Sequence, residues 1–245
     1  NSTFPITANA GAYHLELPLL DLGGPLPLGY VLDYRSDRYN EVDVTGLDGP
    51  FGSNLNKWLQ KQANATDLVI YIHLGGGETP AFTRALGRDG EWELDAASPV
   101  RYQLLETGDT YAAGYFYLLD PLRELVHIFE KTYVPGWCTS DTSCRCRLSA
   151  VLDRNGNAHT WTYAAADSFR PARVSDGLGR WLDFAYDGRK RLVAVTDQAG
   201  RSIVFTPEEE AADCPTWNNR LQPVLRSVTD AGGHVTTFQY ACGRG

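Results

Sequence analysis

The sequence predicts an all-β protein, a long and strongly twisted antiparallel sheet of stacked hairpins that curls into a spiral shell or an open barrel. Three observations lead there. A hairpin-sized unit recurs four times in register between residues 148 and 240. Within it, apolar and polar residues alternate with the period of a half-buried strand. Turn formers are plentiful, with 24 Gly and 13 Pro in 245 residues, and no long amphipathic helical pattern is visible.

The first half holds the less regular elements. Tyr13, Leu15 and Leu17 alternate as a strand. Leu55 to Ala63 reads as a short helix. Strand-like pieces cover Leu68 to His73, Thr79 to Ala85, Glu91 to Leu94, Tyr111 to Leu119 and Glu124 to Lys131. Gly75 to Gly77 reads as a turn or bulge; Arg88 to Gly90 and Glu106 to Asp109 read as hairpin turns. The expected division is a degenerate β region at 1–147 and four hairpins at 148–245, continuous with the first region as one sheet.

Columns carry the repeat. Asp153, Asp176, Asp197 and Asp230 each follow a valine two residues earlier: Val151, Val174, Val195 and Val228. Three residues after each stands a glycine: Gly156, Gly179, Gly200 and Gly233. Eight after stand Trp161, Phe184, Phe205 and Phe238, and ten after stand Tyr163, Tyr186, Pro207 and Tyr240. Five before stand Leu148, Pro171, Leu192 and Leu225. Chance does not place five such columns in register. The first three units follow one another at nearly even spacing, and the fourth is delayed by an insert around Glu208 to Gln222. In each unit the Asp side chain accepts backbone N–H groups of a tight turn, and the Gly supplies a positive φ. The aromatics share a face with residues such as Leu182 and belong to the core. Positions −5 and −2 are an odd number apart, so both reach one face only through a bulge or a strong twist.

These columns resemble the Rhs, or YD-repeat, family. The matching stretches are Val-Leu-Asp-Arg-Asn-Gly-Asn with Trp-Thr-Tyr (151–163), Val-Ser-Asp-Gly-Leu-Gly-Arg with Phe-Ala-Tyr (174–186), Val-Thr-Asp-Gln-Ala-Gly-Arg with Phe (195–205) and Val-Thr-Asp-Ala-Gly-Gly-His with Phe-Gln-Tyr (228–240). Pro207 replaces the tyrosine of the third unit. Residues 25–36, Pro-Leu-Pro-Leu-Gly-Tyr-Val-Leu-Asp-Tyr-Arg-Ser, resemble the leading segment of Rhs chains, and 49–58 a looser form of the Gly-x-Trp-like stretch that follows it. The resemblance spans about residues 20 to 245 and is strong from 148. It implies sheets that wrap into hollow shells around another polypeptide, or that build large cell-surface scaffolds. Full Rhs chains often end in a variable toxin, and none is expected after Tyr240.

No residue pattern points to catalysis. The densest carboxylates, Glu91/Glu93/Asp95 and Glu208 to Glu210, fit an exposed strand face and a solvated insert better than a glycosidase pair. His14, His73, His127, His159 and His234 are spread without the spacing of a helical zinc site. Gly75 to Gly77 lacks the Lys and Ser/Thr of a phosphate loop, and no GxSxG elbow is present. No catalytic residue, metal or cofactor is expected. A net charge of −8, with 18 scattered Arg and 4 Lys, disfavours a general nucleic-acid binder. No apolar run approaches the roughly 20 residues of a membrane-spanning helix.

Cys138, Cys144, Cys146, Cys214 and Cys242 do not follow zinc-ribbon spacing. A disulfide-stapled loop is favoured over buried thiols and over a metal site, with Cys138–Cys144 as the first pairing and Cys146 reaching Cys214 or Cys242. Disulfides imply a location outside the cytosol, extracellular or at the cell surface. Met is absent, so Asn1 is not expected to be the translational start. The expectation is a non-enzymatic structural protein, a β-shell, scaffold or filament, within a larger chain or assembly. Its partners are a second copy or the remainder of a longer Rhs chain, met at exposed strand edges, since Ala241 to Gly245 is too short to cap one. The alternative is a carbohydrate- or receptor-binding module, which exposed aromatic pairs on the outer face would favour.

Overall fold

The computed structural model describes residues 6–7, 12–36, 46–47, 50–76, 78–87, 91–108, 113–131, 143–165, 168–208 and 224–239. All regular structure among them is β. Strands β1 (Ile6–Thr7), β2 (Ala12–Asp21), β3 (Gly29–Arg35) and β4 (Phe51–Ser53) form a four-stranded antiparallel meander. The remaining strands form one open 15-stranded antiparallel sheet. Its first wing is β5 (Trp58–Ala63), β6 (Asp67–His73), β7 (Ala81–Ala85) and β8 (Glu93–Leu94); its second is β9 (Gln103–Glu106), β10 (Tyr115–Asp120) and β11 (Leu125–Glu130). The long β12 (Ser143–Asp153) joins the wings to the repeat array of β13 (Ala158–Tyr163), β14 (Pro171–Ser175), β15 (Trp181–Tyr186), β16 (Leu192–Asp197), β17 (Ser202–Glu208), β18 (Val224–Thr229) and β19 (Val235–Thr237).

The sheet forks at β12. Arg147 stands opposite both Glu130 and Trp58, so β11 and β5 flank β12 on opposite edges. Further along, Val151 stands opposite both His127 and His159, so β13 takes over the edge that β5 has left. One 11-residue strand thus anchors three neighbours. Pairing with β12 also explains why residues 58–63 form a strand, where a helix was expected. Five residue pairs, Trp58 to Gln62 against Ser143 to Arg147, satisfy a strand edge that a helix would leave without partners.

The repeat strands bury one face. Register shifts fall between positions −5 and −2 of the units, pairing Tyr163 with Pro171 but Thr162 with Arg173, and Tyr186 with Leu192 but Ala185 with Ala194. The same shift occurs at Leu148 on β12 and at Leu225 on β18. Each bulge inserts one residue, so both the −5 and −2 side chains point inward. Leu148 and Val151, Leu192 and Val195, and Leu225 and Val228 are all buried.

The four-stranded meander packs across the apolar face of this sheet. Tyr30 lies with its ring 6.3 Å from Phe184 and 5.6 Å from Phe205, and Phe51 meets Phe238 at 4.8 Å. Leu28, Tyr30, Leu32 and Phe51 join Val174, Leu182, Val195 and Phe205 in one core. The sequence leads to the expectation that 1–147 and the repeats form one continuous sheet; the structure departs from it in part, because β1–β4 form a sheet of their own. Residues 58–130 share the sheet of the repeats, whereas β1–β4 pack across it. The physical reason is the apolar face itself, which needs a cover within the same chain.

Candidate functional site

The structure places the repeat residues in a set of near-identical turns. In each, the Asp N–H donates to the carbonyl four residues on, at 3.0 Å for Asp153, 3.1 Å for Asp176, 3.0 Å for Asp197 and 2.9 Å for Asp230. The Asp Oδ1 accepts backbone N–H groups two and four residues on, Asn155 and Asn157 in the first turn and Gly232 and His234 in the last. Gly156, Gly179, Gly200 and Gly233 have φ of 84°, 88°, 80° and 86°. These bonds favour the ionised carboxylate. Burial opposes ionisation of Asp176 and Asp197, but their N–H donors and Arg180 or Arg201 outweigh it and hold both below the usual carboxylate range.

A fifth turn of this kind was missed in the columns. Asp187 accepts from the N–H groups of Arg189 and Arg191, and Lys190 occupies the glycine position with φ of 67°. Asp followed by Arg four residues on is the signal that could have found it, since Asp176–Arg180 and Asp197–Arg201 share it and all three pairs close through Nε.

Tyrosine hydroxyls stitch successive strands. Tyr163 donates to the Leu148 carbonyl at 2.5 Å and Tyr186 to the Pro171 carbonyl at 2.9 Å, each reaching the −5 residue of its own unit. Burial pushes the Tyr163 hydroxyl above its ordinary value. Pro207 cannot make this bond, and Tyr240 lies outside the described residues. The core positions Val151, Trp161, Val174, Phe184, Val195, Phe205 and Val228 are buried; Tyr163, Tyr186 and Phe238 are half-buried.

Turn residues also hold the meander. Arg180 Nη1 donates to the Leu22 carbonyl at 2.8 Å, His159 Nε2 lies 3.1 Å from the Leu26 carbonyl, and the Leu192 N–H donates to Gly46 at 2.9 Å. Gly24, with φ of 105°, lets the Arg180 guanidinium pass: a Cβ there would collide with Nη2.

Two polar hubs that sequence reading did not single out clamp the wings together. Glu106 on β9 accepts from Lys131 at 2.7 Å, Arg84 at 3.1 Å, Lys61 at 3.5 Å and the Trp92 indole at 3.2 Å. Burial would raise this carboxyl, but the Lys131 bond and the charges of Lys61, Lys131 and Arg84 hold it low. In the second hub, Arg123 bridges Asp120 at 2.8 Å and Glu78 at 2.9 Å, and the Tyr102 hydroxyl donates to Glu78. Lys57 donates to the Leu74 carbonyl at 2.6 Å; burial, helped by Arg123 and opposed by Glu78 and Asp120, lowers it to about 8. Burial lowers His127 to about 3, with Lys57 and Arg123 adding to the effect, so it is neutral at pH 7. No three His, Cys, Asp or Glu side chains gather as a metal site among the described residues.

Cys144 and Cys146 point to the same core face of β12 and are both buried. Cys144 is disulfide-bonded. Cys146 is a free thiol, which corrects the expectation that it reaches Cys214 or Cys242; burial raises it to about 12. Cys138, Cys214 and Cys242 lie outside the described residues.

The described residues form an open antiparallel β-wall with an inward apolar face. No protein-family model and no curated protein matches the chain. Solved structures do. A TccC3-mutant Tc holotoxin pore of Photorhabdus luminescens matches with a TM-score of 0.56 at 12% identity over 96% of this chain and 16% of that one. TcdB2–TccC3 matches with a TM-score of 0.53 at 13% identity, covering 97% of this chain and 16% of that one. TcdB2–TccC3–Cdc42 matches at 0.51 and 12% identity, covering 93% and 15%. The chain thus spans about a sixth of the chains it resembles and shares with them an Rhs-like β fold.

Proposed function

We propose that this chain is a non-enzymatic, Rhs-type wall segment of a larger extracellular β-shell or scaffold. The observation that carries the reading is the end of the sheet. Strand β19 pairs with β18 alone among the described residues, and all three of its side chains are exposed. An antiparallel strand laid beside it would continue the array with the same spacing. That strand comes from further chain or from another subunit. The fold likeness to much longer chains, of which this one spans about a sixth, supports the same reading. The meander makes this a filled part of the wall, because it already covers the apolar face of the repeats. The Cys144 bridge fits an oxidising compartment, and Cys138 is its proposed partner. The inward-facing aromatics argue against a sugar platform on the repeats.

Electron microscopy of the native particle tests the reading. A hollow, β-walled body much larger than a single 27.1 kDa chain is expected. A native species that is a dispersed 27.1 kDa monomer would rule it out.

A further inference from the structure

The tip of the β5–β6 hairpin is the triplet Asn64-Ala65-Thr66, exposed at all three residues. Asn64 closes the turn, its backbone N–H donating to the Asp67 carbonyl at 2.9 Å. Its Oδ1 accepts the N–H groups of Thr66 at 2.9 Å and Asp67 at 2.7 Å. Two N–H donors on one atom identify that atom as the carbonyl oxygen, so Nδ2 is left for solvent, with no hydrogen bond among the described residues. The Thr66 hydroxyl lies 3.3 Å from the same Oδ1 and donates to Asp67 Oδ2 at 2.6 Å. Elsewhere the chain gives this capping role to aspartate. Asp21, Asp95 and Asp120 each offer Oδ1 to the N–H two residues on, as the repeat aspartates do. A second carboxylate beside Asp67 would repel it, which accounts for an amide at 64. The backbone bonds of the turn ask nothing of the side chain at 66. A hydroxyl there, with a residue other than proline between, completes the acceptor triplet Asn-x-Ser/Thr on an exposed turn.

We infer that Asn64 carries an N-linked glycan. The inference rests on the extracellular reading proposed above, since the modification needs passage through a secretory route. Asn64 Nδ2 attacks the anomeric carbon of an oligosaccharide carried on a lipid diphosphate. The C–N bond forms, the anomeric C–O bond breaks, and the lipid diphosphate leaves. The proton lost from nitrogen passes to the host transferase that brings donor and acceptor together. The fold has room for the product. The triplet lies beyond the last pair of the hairpin, Ala63 with Leu68, so no ladder bond is disturbed. Both strands are already paired on each side, β5 with β6 and β12, and β6 with β5 and β7. A glycan at this tip therefore leaves the apolar face covered by the meander and the open edge at β19 unobstructed.

Mass spectrometry of unreduced peptides from the native protein, before and after treatment with peptide N-glycosidase, tests the inference. The peptide holding Asn64 is expected to carry the mass of an oligosaccharide before treatment and to read Asp at position 64 after it. Produced in the same source, Thr66→Ala should lose the glycan and Thr66→Ser should keep it. Both variants should keep the wild-type circular dichroism, because Asn64 Oδ1 retains its two backbone donors. An unmodified Asn64 in a chain whose Cys144 is bridged overturns the inference and leaves the extracellular reading standing. An unmodified Asn64 with Cys144 reduced overturns both. A glycan that persists in Thr66→Ala, or one found only at the other triplet, Asn1-Ser-Thr3, also overturns the inference.

Discussion

The repeat array and the forked half build the same sheet by opposite means. The array uses short-range devices: an Asp holds N–H groups two and four residues away, and a positive-φ residue closes the turn. The forked half uses long-range ones. Glu106 reaches Lys61 across 45 positions of sequence, and Tyr102 reaches Glu78 across 24. A local device must recur wherever its turn recurs, whereas a long-range hub is built once. The array should therefore tolerate the weakening of one turn, while the fork should fail at a single side chain.

The largest expected effect follows from that contrast. Glu106→Ala leaves Lys61 and Lys131 buried without their carboxylate, at a cost on the order of 3 kcal/mol. The urea midpoint should fall, and hydrogen exchange should show β9–β11 opening before β14–β17. Simultaneous loss of protection in both halves would show that the fork and the array are one cooperative unit.

Next comes a pH effect to which His127 in the fork contributes, while burial also lowers His159 in the array. His127 has a folded pKa of about 3 against an ordinary 6.5. Between those values the unfolded chain binds a proton that the folded chain does not, so stability is full above about 6.5 and falls as pH drops. One pH unit below 6.5 the loss reaches about 1.4 kcal/mol, growing toward pH 3. His127→Leu should reduce the slope of the stability curve over this window, with the part due to His159 remaining. An equal slope in wild type and variant would mean that His127 is protonated in the folded chain. The turn aspartates, held below their ordinary value, lose their contribution only as the pH falls below about 4.

What was legible in the sequence follows the same division. Asp, Gly and aromatic columns identified four turns, and the odd spacing of Leu192 and Val195 anticipated the bulge that brings both inward. Each is a property of residues within a few positions of each other. The fork was not legible. Nothing in Trp58 to Ala63 announces pairing with a strand that begins only at Ser143, and its helix-compatible composition prevailed in the reading. Nor does any local pattern mark Glu106, whose role depends on three cations from other elements. The meander was read as strands, but its packing across the array is decided by Tyr30 meeting Phe184 and Phe205, a contact without sequence signature.

Smaller effects probe the array. Gly179 has φ of 88° and open space around its missing Cβ, so Gly179→Val should cost about 1–2 kcal/mol through backbone strain alone. Thermal or urea unfolding measures it. A neutral result would mean that this turn relaxes to another type without disturbing β14–β15.

The smallest effect has the opposite sign and comes from the turn that the columns missed. Lys190 stands at φ of 67° where the other four turns carry glycine, with its N–H donating to the Asp187 carbonyl at 2.9 Å. A β-carbon in this left-handed region costs roughly 1–2 kcal/mol, whereas glycine adopts it freely but loses more freedom on folding, about 0.5–1 kcal/mol. Lys190→Gly should therefore stabilise the chain by about 0.5–1 kcal/mol. The exchange preserves the turn's bonds, because Arg170 Nε and the Asp187 carbonyl both contact Lys190 through its backbone. The urea midpoint should rise, and hydrogen exchange at Asp187 and Leu192 should slow. A destabilised variant would show that the Lys190 side chain makes a contribution of its own, which would set this turn apart from the other four.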